Sequence, residues 1–138
     1  SQGLSIELRR AEKTDPSVIT NNDLFLFATS TWDHGQINPF FKPVLKALKD
    51  IDCTGKTAGM IGLGDNRYEP VLFNMGIEIV RDAWKAQKGE QLFHTLKLNG
   101  DPYEHLDTEV TKWAMEIAPH FSYDDRLADY LVGEVAHA

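Results

Sequence analysis

Hydrophobic and polar positions along the chain predict strands that alternate with helices. Residues 4–8 alternate apolar and polar, as a half-buried strand does, whereas residues 24–28 and 57–61 form apolar runs that fit strands buried on both faces. Residues 92–98 predict a further strand. Residues 15–22, which contain an Asp-Pro and an Asn-Asn pair, predict a loop.

The segments between these strands carry apolar residues at helical spacing. Phe41, Val44 and Leu48 recur on one face of a predicted helix, and a longer helix is expected over about residues 71–88. Asp101 is a suitable N-cap for a last helix, which we expect to stop near Pro119. An alternation of this kind favours an α/β fold, with a parallel sheet and helices on both of its faces.

In such a sheet the loops that follow the strands meet at the carboxyl edge, where ligands bind. The loops at residues 29–38 and 62–68 occupy these positions, and each contributes one large aromatic side chain, Trp32 and Tyr68. Two aromatic side chains on neighbouring loops can hold a flat ring between them. The alternative is that both side chains only pack on the surface.

Composition and charge exclude several classes of protein. The chain has 138 residues, 42% of them hydrophobic, which fits one folded domain. Its single cysteine, Cys53, excludes an intramolecular disulfide framework, and no apolar run is long enough for a membrane span, so we expect a cytoplasmic protein. The net charge is −7, and residues 101–138 hold nine acidic residues against two basic ones. No basic stripe for nucleic acid is visible, and the acidic surface suits solubility or steering towards a basic partner.

Three motifs, in order, resemble those of the flavodoxin family, and the resemblance covers residues 1–120. The stretch Thr29-Ser30-Thr31-Trp32-Asp33-His34-Gly35 is similar to the family's first ring-binding loop, and Gly62-Leu63-Gly64-Asp65-Asn66-Arg67-Tyr68 is similar to the second. Leu98-Asn99-Gly100-Asp101-Pro102, followed by Trp113, resembles the end of short-chain flavodoxins. The resemblance implies a flavodoxin-like, doubly wound parallel sheet in three α/β/α layers.

By this resemblance the chain would bind FMN and carry single electrons at low potential between a reductase and redox acceptors, without being an enzyme. Trp32 would cover one face of the isoalloxazine ring and Tyr68 the other, with Gly64 and Asp65 near the pyrimidine edge. The remaining implied contacts are Thr29, Ser30, Thr31, Asp33, Gly35, Gly62, Leu63 and Phe73. Carboxylates beside the ring disfavour the anion that full reduction produces, which makes the flavin strongly reducing.

Two departures from the family pattern concern Asp33 and the start of the chain. Many flavodoxins have glycine at the position of Asp33, where the peptide flips as flavin N5 gains a proton, so the resemblance does not extend to semiquinone stabilisation. The chain opens at what resembles the end of the family's first helix. The family's first strand and its Ser/Thr-x-Thr-Gly-x-Thr phosphate loop are therefore expected to be missing, and only the polar residues 15–22 could supply donors for the phosphate.

A truncated chain is the favoured explanation of the missing strand. The alternatives are a rearranged sheet, or a strand supplied by another chain, which would give a homodimer by strand exchange. Residues 121–138 lie outside the resemblance and predict an acidic, amphipathic C-terminal helix or tail beside a flavodoxin-like domain over residues 1–120. The five histidines show no metal-ligand spacing.

Two other functions stay open. The missing phosphate loop favours a flavodoxin-like module that has lost flavin and acts in protein binding or assembly. The chain could also be one domain of a larger flavin enzyme. The presence of Trp32, Asp65 and Tyr68 favours the electron carrier.

Overall fold

The computed structural model describes residues 6–32, 36–64, 75–122 and 128–132, which form a mostly parallel sheet with helices on both faces. The strands are β1 (Ile6–Arg10), β2 (Leu24–Trp32), β3 (Gln36–Ile37), β4 (Thr57–Gly64), β5 (Glu90–Gln91), β6 (Leu96–Asn99) and β7 (Ala128–Val132). The α-helices are α1 (Ser17–Asn21), α2 (Lys42–Leu48), α3 (Met75–Ala86) and α4 (Thr111–Ser122). Short 3-10 turns lie at Ala11–Lys13, Pro39–Phe41 and Pro102–His105, and a π-helical turn lies at Leu106–Val110.

The apolar run at the start of β2 is buried on both faces, as the sequence predicts. Phe25 and Phe27 stack on each other with ring centroids 5.6 Å apart, and both meet the Trp84 ring of α3 edge-on. Leu24 and Leu26 belong to a second core cluster that includes residues of α4. The sheet therefore separates two apolar layers, and the α/β prediction is confirmed.

The order of the strands explains why α4 lies on the opposite face from α2 and α3. The sheet runs β1-β7-β2-β4, with β5 and β6 both paired to β4, and β3 is antiparallel to β2. Helices α2 and α3 pack on one face as the chain moves from β2 past β4 to β6. Helix α4 packs on the other face as the chain returns to β7. The chain reverses its direction across the sheet at the same point at which its connecting helix changes face. All these crossovers therefore keep the same hand, as parallel sheets require.

The position between β1 and β2 is filled by residues 128–132. Strand β7 pairs in parallel with both neighbours, so that Ala128 lies in register with Ile6 and Leu24, and Val132 with Arg10 and Ala28. The predicted C-terminal helix or tail is therefore wrong for these five residues, and the structure shows a rearranged sheet. The physical reason is that an empty position would leave facing backbone groups of β1 and β2 about 9–10 Å apart and without partners.

Residues 15–22, predicted to be a loop, contain helix α1. Asp15 Oδ1 accepts a hydrogen bond from the Ser17 backbone N–H at 2.9 Å, which satisfies a donor at the start of the helix. At its end, Lys56 Nζ donates to the carbonyl oxygens of Thr20 and Asn22, at 3.1 and 2.6 Å. The turn residues in this segment do not predict a helix, because part of what stabilises its end comes from Lys56, which is distant in sequence.

Two further elements differ from the sequence-based expectation. The predicted strand at residues 92–98 is a strand only from Leu96 onward, in β6; β5 ends at Gln91, and Phe93 lies between the two strands at a φ of 65°, which no continuous strand accommodates. Asp101 caps the predicted last helix by accepting from the Tyr103 N–H at 2.9 Å, but the first turns are 3-10 and π, and α4 continues past Pro119 to Ser122. None of the described helices has the length and apolar character needed to cross a lipid bilayer.

Candidate functional site

The carboxyl ends of β2, β4 and β6 lie side by side at one edge of the sheet. Ser30 of β2 pairs with Leu63 of β4, and Gly64 at the end of β4 pairs with Asn99 of β6. The Gly100 N–H then donates to the Gly64 carbonyl at 2.7 Å, which fixes the turn after β6 against the end of β4. The sequence predicts that these strand ends meet, and the register confirms it.

Buried polar side chains anchor the first of the two predicted loops. Thr29 and Ser30 are only 1% and 3% exposed, and Asn38 is fully buried. The Asn38 Nδ2 donates to Ser30 Oγ at 3.1 Å, while its Oδ1 accepts from the Phe40 N–H at 2.9 Å. Asn38 is not among the site residues that the sequence predicts. Its position directly before Pro39, at the start of a helical turn, is the signal that identifies it as an N-cap.

The first loop is mostly a hairpin and not an open polar loop. Strand β3 folds back on the end of β2, with Thr31 opposite Ile37 and Trp32 opposite Gln36. The extra strand has a physical cause, because the backbone of residues 31 and 32 finds partners in β3 beyond the part of β2 that pairs with β4. The hairpin fixes the backbone of Trp32 at the rim of the sheet.

A direct hydrogen bond joins the first loop to the helix that follows the second. The Gly76 N–H, at the start of α3, donates to Thr31 Oγ1 at 2.9 Å. A Cβ at Gly76 would lie 2.7 Å from the Ser30 carbonyl oxygen, so only glycine allows α3 to approach β2 this closely. The sequence places Thr31 at the ring site, but it gives Gly76 no role. A glycine inside a predicted helix is the signal for such a close approach.

Part of the predicted site lies outside the described residues. This applies to Asp33, Gly35, Asp65, Tyr68 and Phe73, and the position of the Trp32 side chain is likewise not described. The structure brings together the other predicted residues at the ends of β2 and β4, namely Thr29, Ser30, Thr31, Gly62, Leu63 and Gly64.

Part of the segment suggested for phosphate donors, residues 20–22, lies at the wrong edge of the sheet. Thr20 and Asn22 bind Lys56, which directly precedes the first residue of β4, and Asp23 precedes the first residue of β2. Residues 20–22 are thus at the amino edge, whereas the predicted ring site is at the carboxyl edge, the length of a nine-residue strand away. Residues 20–22 therefore cannot supply phosphate donors to that site, whereas the start of the segment lies nearer the carboxyl edge, because Thr14 Oγ1 donates to the carbonyl oxygen of Arg10 at the end of β1.

Acidic side chains surround the carboxyl edge. Asp101, Glu104 and Asp107 are exposed and follow directly after β6. His105 links this segment to the site, because its Nε2 lies 2.8 Å from the Asn99 carbonyl and its Nδ1 lies 3.3 Å from a Glu109 carboxylate oxygen. Among the side chains that the structure describes, no three His, Cys, Asp or Glu are grouped as a metal site would require.

Comparisons with known proteins agree with this geometry. The family model for flavodoxin matches residues 1–113. A probable flavodoxin 2 of Bacillus subtilis (strain 168) is 24% identical over 104 residues, which span 75% of this chain and 68% of that protein.

Two solved structures are also similar. Oxidised flavodoxin 2 from Bacillus cereus has a TM-score of 0.72 at 23% identity, over 80% of this chain and 75% of the other. The flavodoxin of Fusobacterium nucleatum bound to flavin mononucleotide has a TM-score of 0.59 at 22% identity, over 75% of each chain. At these identities the likeness establishes the fold.

Proposed function

We propose that this chain, which belongs to the flavodoxin family, binds FMN at the carboxyl ends of β2 and β4 and carries single electrons at low potential. The observation that carries the proposal is the hydrogen bond from Gly76 N–H to Thr31 Oγ1, because it joins the structures that bear the two ring loops. The fold family and the flavin-bound relative from Fusobacterium nucleatum support the choice of cofactor.

The described residues support a ring site at this edge. The ends of β2 and β4 are fixed by pairing, by Asn38 and by Thr31, and Gly62 and Gly64 bring no side chains to the end of β4. A rigid edge of this kind holds a flat ligand in one orientation. The proposed contacts of the chain with FMN are contacts with its ring.

When bound, FMN supplies the redox chemistry. The chain would bind the ring between Trp32 and Tyr68, with contacts from Thr29, Ser30, Thr31, Gly62, Leu63, Gly64 and Phe73. Asp33, Gly35 and Asp65 would line its polar edge. The carboxylates of Asp33 and Asp65 would oppose added negative charge and keep the potential low. The protein is then a carrier and not an enzyme.

The acidic segment after β6 indicates where redox partners dock. Glu104 and Asp107 are exposed and belong to the segment that follows the carboxyl end of β6, the edge at which the ring site is proposed. Their charge would steer a basic partner to the edge at which the flavin is exposed, and salt would weaken this steering.

The absorption spectrum of the purified protein, with parallel titrations by FMN and riboflavin, tests the cofactor. We expect a yellow complex with both ligands and only a small preference for FMN. A chain that binds neither ligand would contradict the proposal and favour the module without flavin. A strong preference for FMN would show that residues outside the described part form a phosphate site.

Electron transfer from the FMN-loaded protein to a small basic cytochrome tests the docking surface. The double variant Glu104→Gln and Asp107→Asn should slow the transfer at low salt, and the difference should vanish at high salt. The matched control, Asp50→Asn with Glu90→Gln, removes the same charge at the amino edge of the sheet and should leave the rate unchanged. Equal effects of the two double variants would rule out a docking surface at the carboxyl edge.

Localisation and dimerisation complete the proposal. The carrier would work in the cytoplasm, where its buried, unpaired Cys53 stays reduced. A homodimer would form by exchange of β7, the strand that lies in the centre of the sheet near the C-terminus. Sedimentation at several protein concentrations tests this, since exchange predicts a slowly interconverting dimer.

A further inference from the structure

A shallow, open cavity lies between α3 and the segment from β5 to β6, lined by none of the residues of the proposed ring site. Its volume is about 460 Å³, within the range of pockets that hold small organic molecules. One wall comes from Glu78, Arg81 and Lys85 of α3, which recur at helical spacing on one face. The opposite wall comes from residues 91–97.

The charged side chains of this cavity are arranged around one carboxylate. The Glu78 side chain is 17% exposed and forms ion pairs with Arg81, at 2.5 Å, and with Lys97 of β6. A single carboxylate thus holds two cations in place on opposite walls. Lys85 adds a third cation, so the lining has an excess of positive charge. Asp82 also lies 3.4 Å from Arg81, but it is 73% exposed and outside the lining, where water screens it.

The wall formed by residues 91–97 presents an aromatic ring and contains a residue in an unfavourable backbone conformation. Phe93 has a φ of 65°, rare for a bulky residue, and its side chain is exposed. Its ring lies 4.2 Å, centroid to centroid, from the His94 ring. The segment is fixed on both sides, because Trp113 Nε1 donates to the His94 carbonyl at 2.9 Å and the Leu92 N–H donates to the Ala58 carbonyl at 2.8 Å. Strain of this kind, kept in a rigid segment that presents an aromatic ring, is typical of binding sites.

We propose that this cavity binds a phosphorylated aromatic compound, such as an aryl phosphate or a nucleotide, at the same time as FMN occupies the ring site. The flat group lies against Phe93 and His94, and the phosphate is held by Arg81 and Lys85. Guanidinium and ammonium groups suit phosphate, and arginine can bind it through two parallel hydrogen bonds. The lining of the cavity begins at Glu78, two residues after Gly76, and includes none of the residues proposed to contact the flavin, so its ligand would lie beside the flavin and not in its place.

Amide chemical shifts of the FMN-saturated protein, titrated with phenyl phosphate, test the proposal. Inorganic phosphate and phenol are titrated separately, to measure each half of the ligand. We expect shifts to cluster at residues 78–85 and 91–97, and phenyl phosphate to bind about ten-fold or more tightly than either half. Shifts spread over the whole surface, or phenyl phosphate that binds no better than inorganic phosphate, would overturn the proposal. Displacement of FMN by phenyl phosphate would also overturn it.

Two variants separate the charged and aromatic parts. Arg81→Gln with Lys85→Gln should weaken phenyl phosphate about ten-fold or more, whereas Lys49→Gln with Lys112→Gln, which removes equal charge outside the cavity, should not. Phe93→Gly removes the ring at a φ that glycine adopts freely, so the fold should be retained. This variant should lose the advantage of phenyl phosphate over inorganic phosphate. Unchanged affinities in both cavity variants would refute the site, and their FMN titrations show separately whether the ring site is intact.

Discussion

Thr31 and Gly76 are 45 residues apart in sequence, and a 2.9 Å hydrogen bond from the Gly76 N–H to Thr31 Oγ1 joins them. Thr31 belongs to the hairpin that carries Trp32, and Gly76 lies in the first turn of α3, the helix that follows Tyr68 in the sequence. The bond therefore joins the end of β2 to the start of α3, the two described elements that flank the proposed ring site. It also satisfies one of the free N–H groups at the start of α3.

Removal of this bond should weaken both folding and flavin binding. Thr31→Val keeps the shape of the side chain but leaves the Gly76 N–H without its acceptor, so we expect a loss of about 1–2 kcal/mol in the free energy of unfolding. Urea denaturation and FMN titration measure the two effects. Thr31→Ser keeps the hydroxyl and serves as the control. If the valine and serine variants bind FMN equally well, the bond does not position the loops.

The fold follows largely from local sequence, whereas the links between loops do not. The apolar run at residues 24–28 predicts the central strand, and Asp101 predicts the cap that the structure shows. Helix α1 and the bond between Thr31 and Gly76 depend on partners more than 30 residues away, and such contacts leave no local periodicity. The local sequence does not predict strand β7 for a related reason. Its residues also fit a helical stripe, and only the unpaired edges of β1 and β2 favour a strand.

The aromatic pair predicted to hold the ring can be tested residue by residue. Trp32→Ala and Tyr68→Ala should each weaken flavin binding by about 1–3 kcal/mol, because stacking and apolar burial are lost. Fluorescence quenching on titration with FMN measures the dissociation constant. The control is Tyr103→Ala, because Tyr103 is 67% exposed and lies in neither ring loop. This variant should leave the dissociation constant of FMN unchanged. Unchanged constants for both Trp32 and Tyr68 variants would leave the sandwich without support.

The charge of Asp65 should control the potential of the second reduction step. Asp65→Asn removes a negative charge from the proposed ring site, which should favour the anionic, fully reduced flavin by about 1 kcal/mol and raise the second midpoint potential. A redox titration measures this shift. Asp82→Asn, on the exposed surface of α3, is the control with the same change of charge. A second potential that stays fixed or falls in Asp65→Asn would place Asp65 away from the flavin.

Cys53 should make the protein less stable in alkaline solution. Its side chain is fully buried, and burial raises the pKa of the thiol, while nearby Lys56 opposes the shift in part. Because the folded pKa exceeds the unfolded value of about 8.5, the contribution to stability is complete below that pH and is lost as the pH rises through the folded pKa. Urea denaturation at intervals of about half a pH unit, between about pH 7 and pH 10, measures how the free energy of unfolding changes with pH. Cys53→Ala should be less stable at neutral pH but show a smaller alkaline decline, and an equal decline in both proteins would exclude the thiol as its cause.

The central position of β7 predicts that its backbone is indispensable. Tyr130 pairs with Leu8 on one side and Leu26 on the other, so proline at this position removes a donor from the middle of the sheet. We expect Tyr130→Pro to lower the free energy of unfolding by about 3 kcal/mol or more. Flavin binding should weaken as well, because Val132 pairs with Ala28, directly before Thr29 at the proposed site. Val135→Pro lies three residues beyond β7 and is the control. Amide hydrogen exchange adds an independent measurement, since strand β2 should lose its protection in Tyr130→Pro alone. If the two proline variants are equally stable and equally protected, residues 128–132 do not form the strand between β1 and β2.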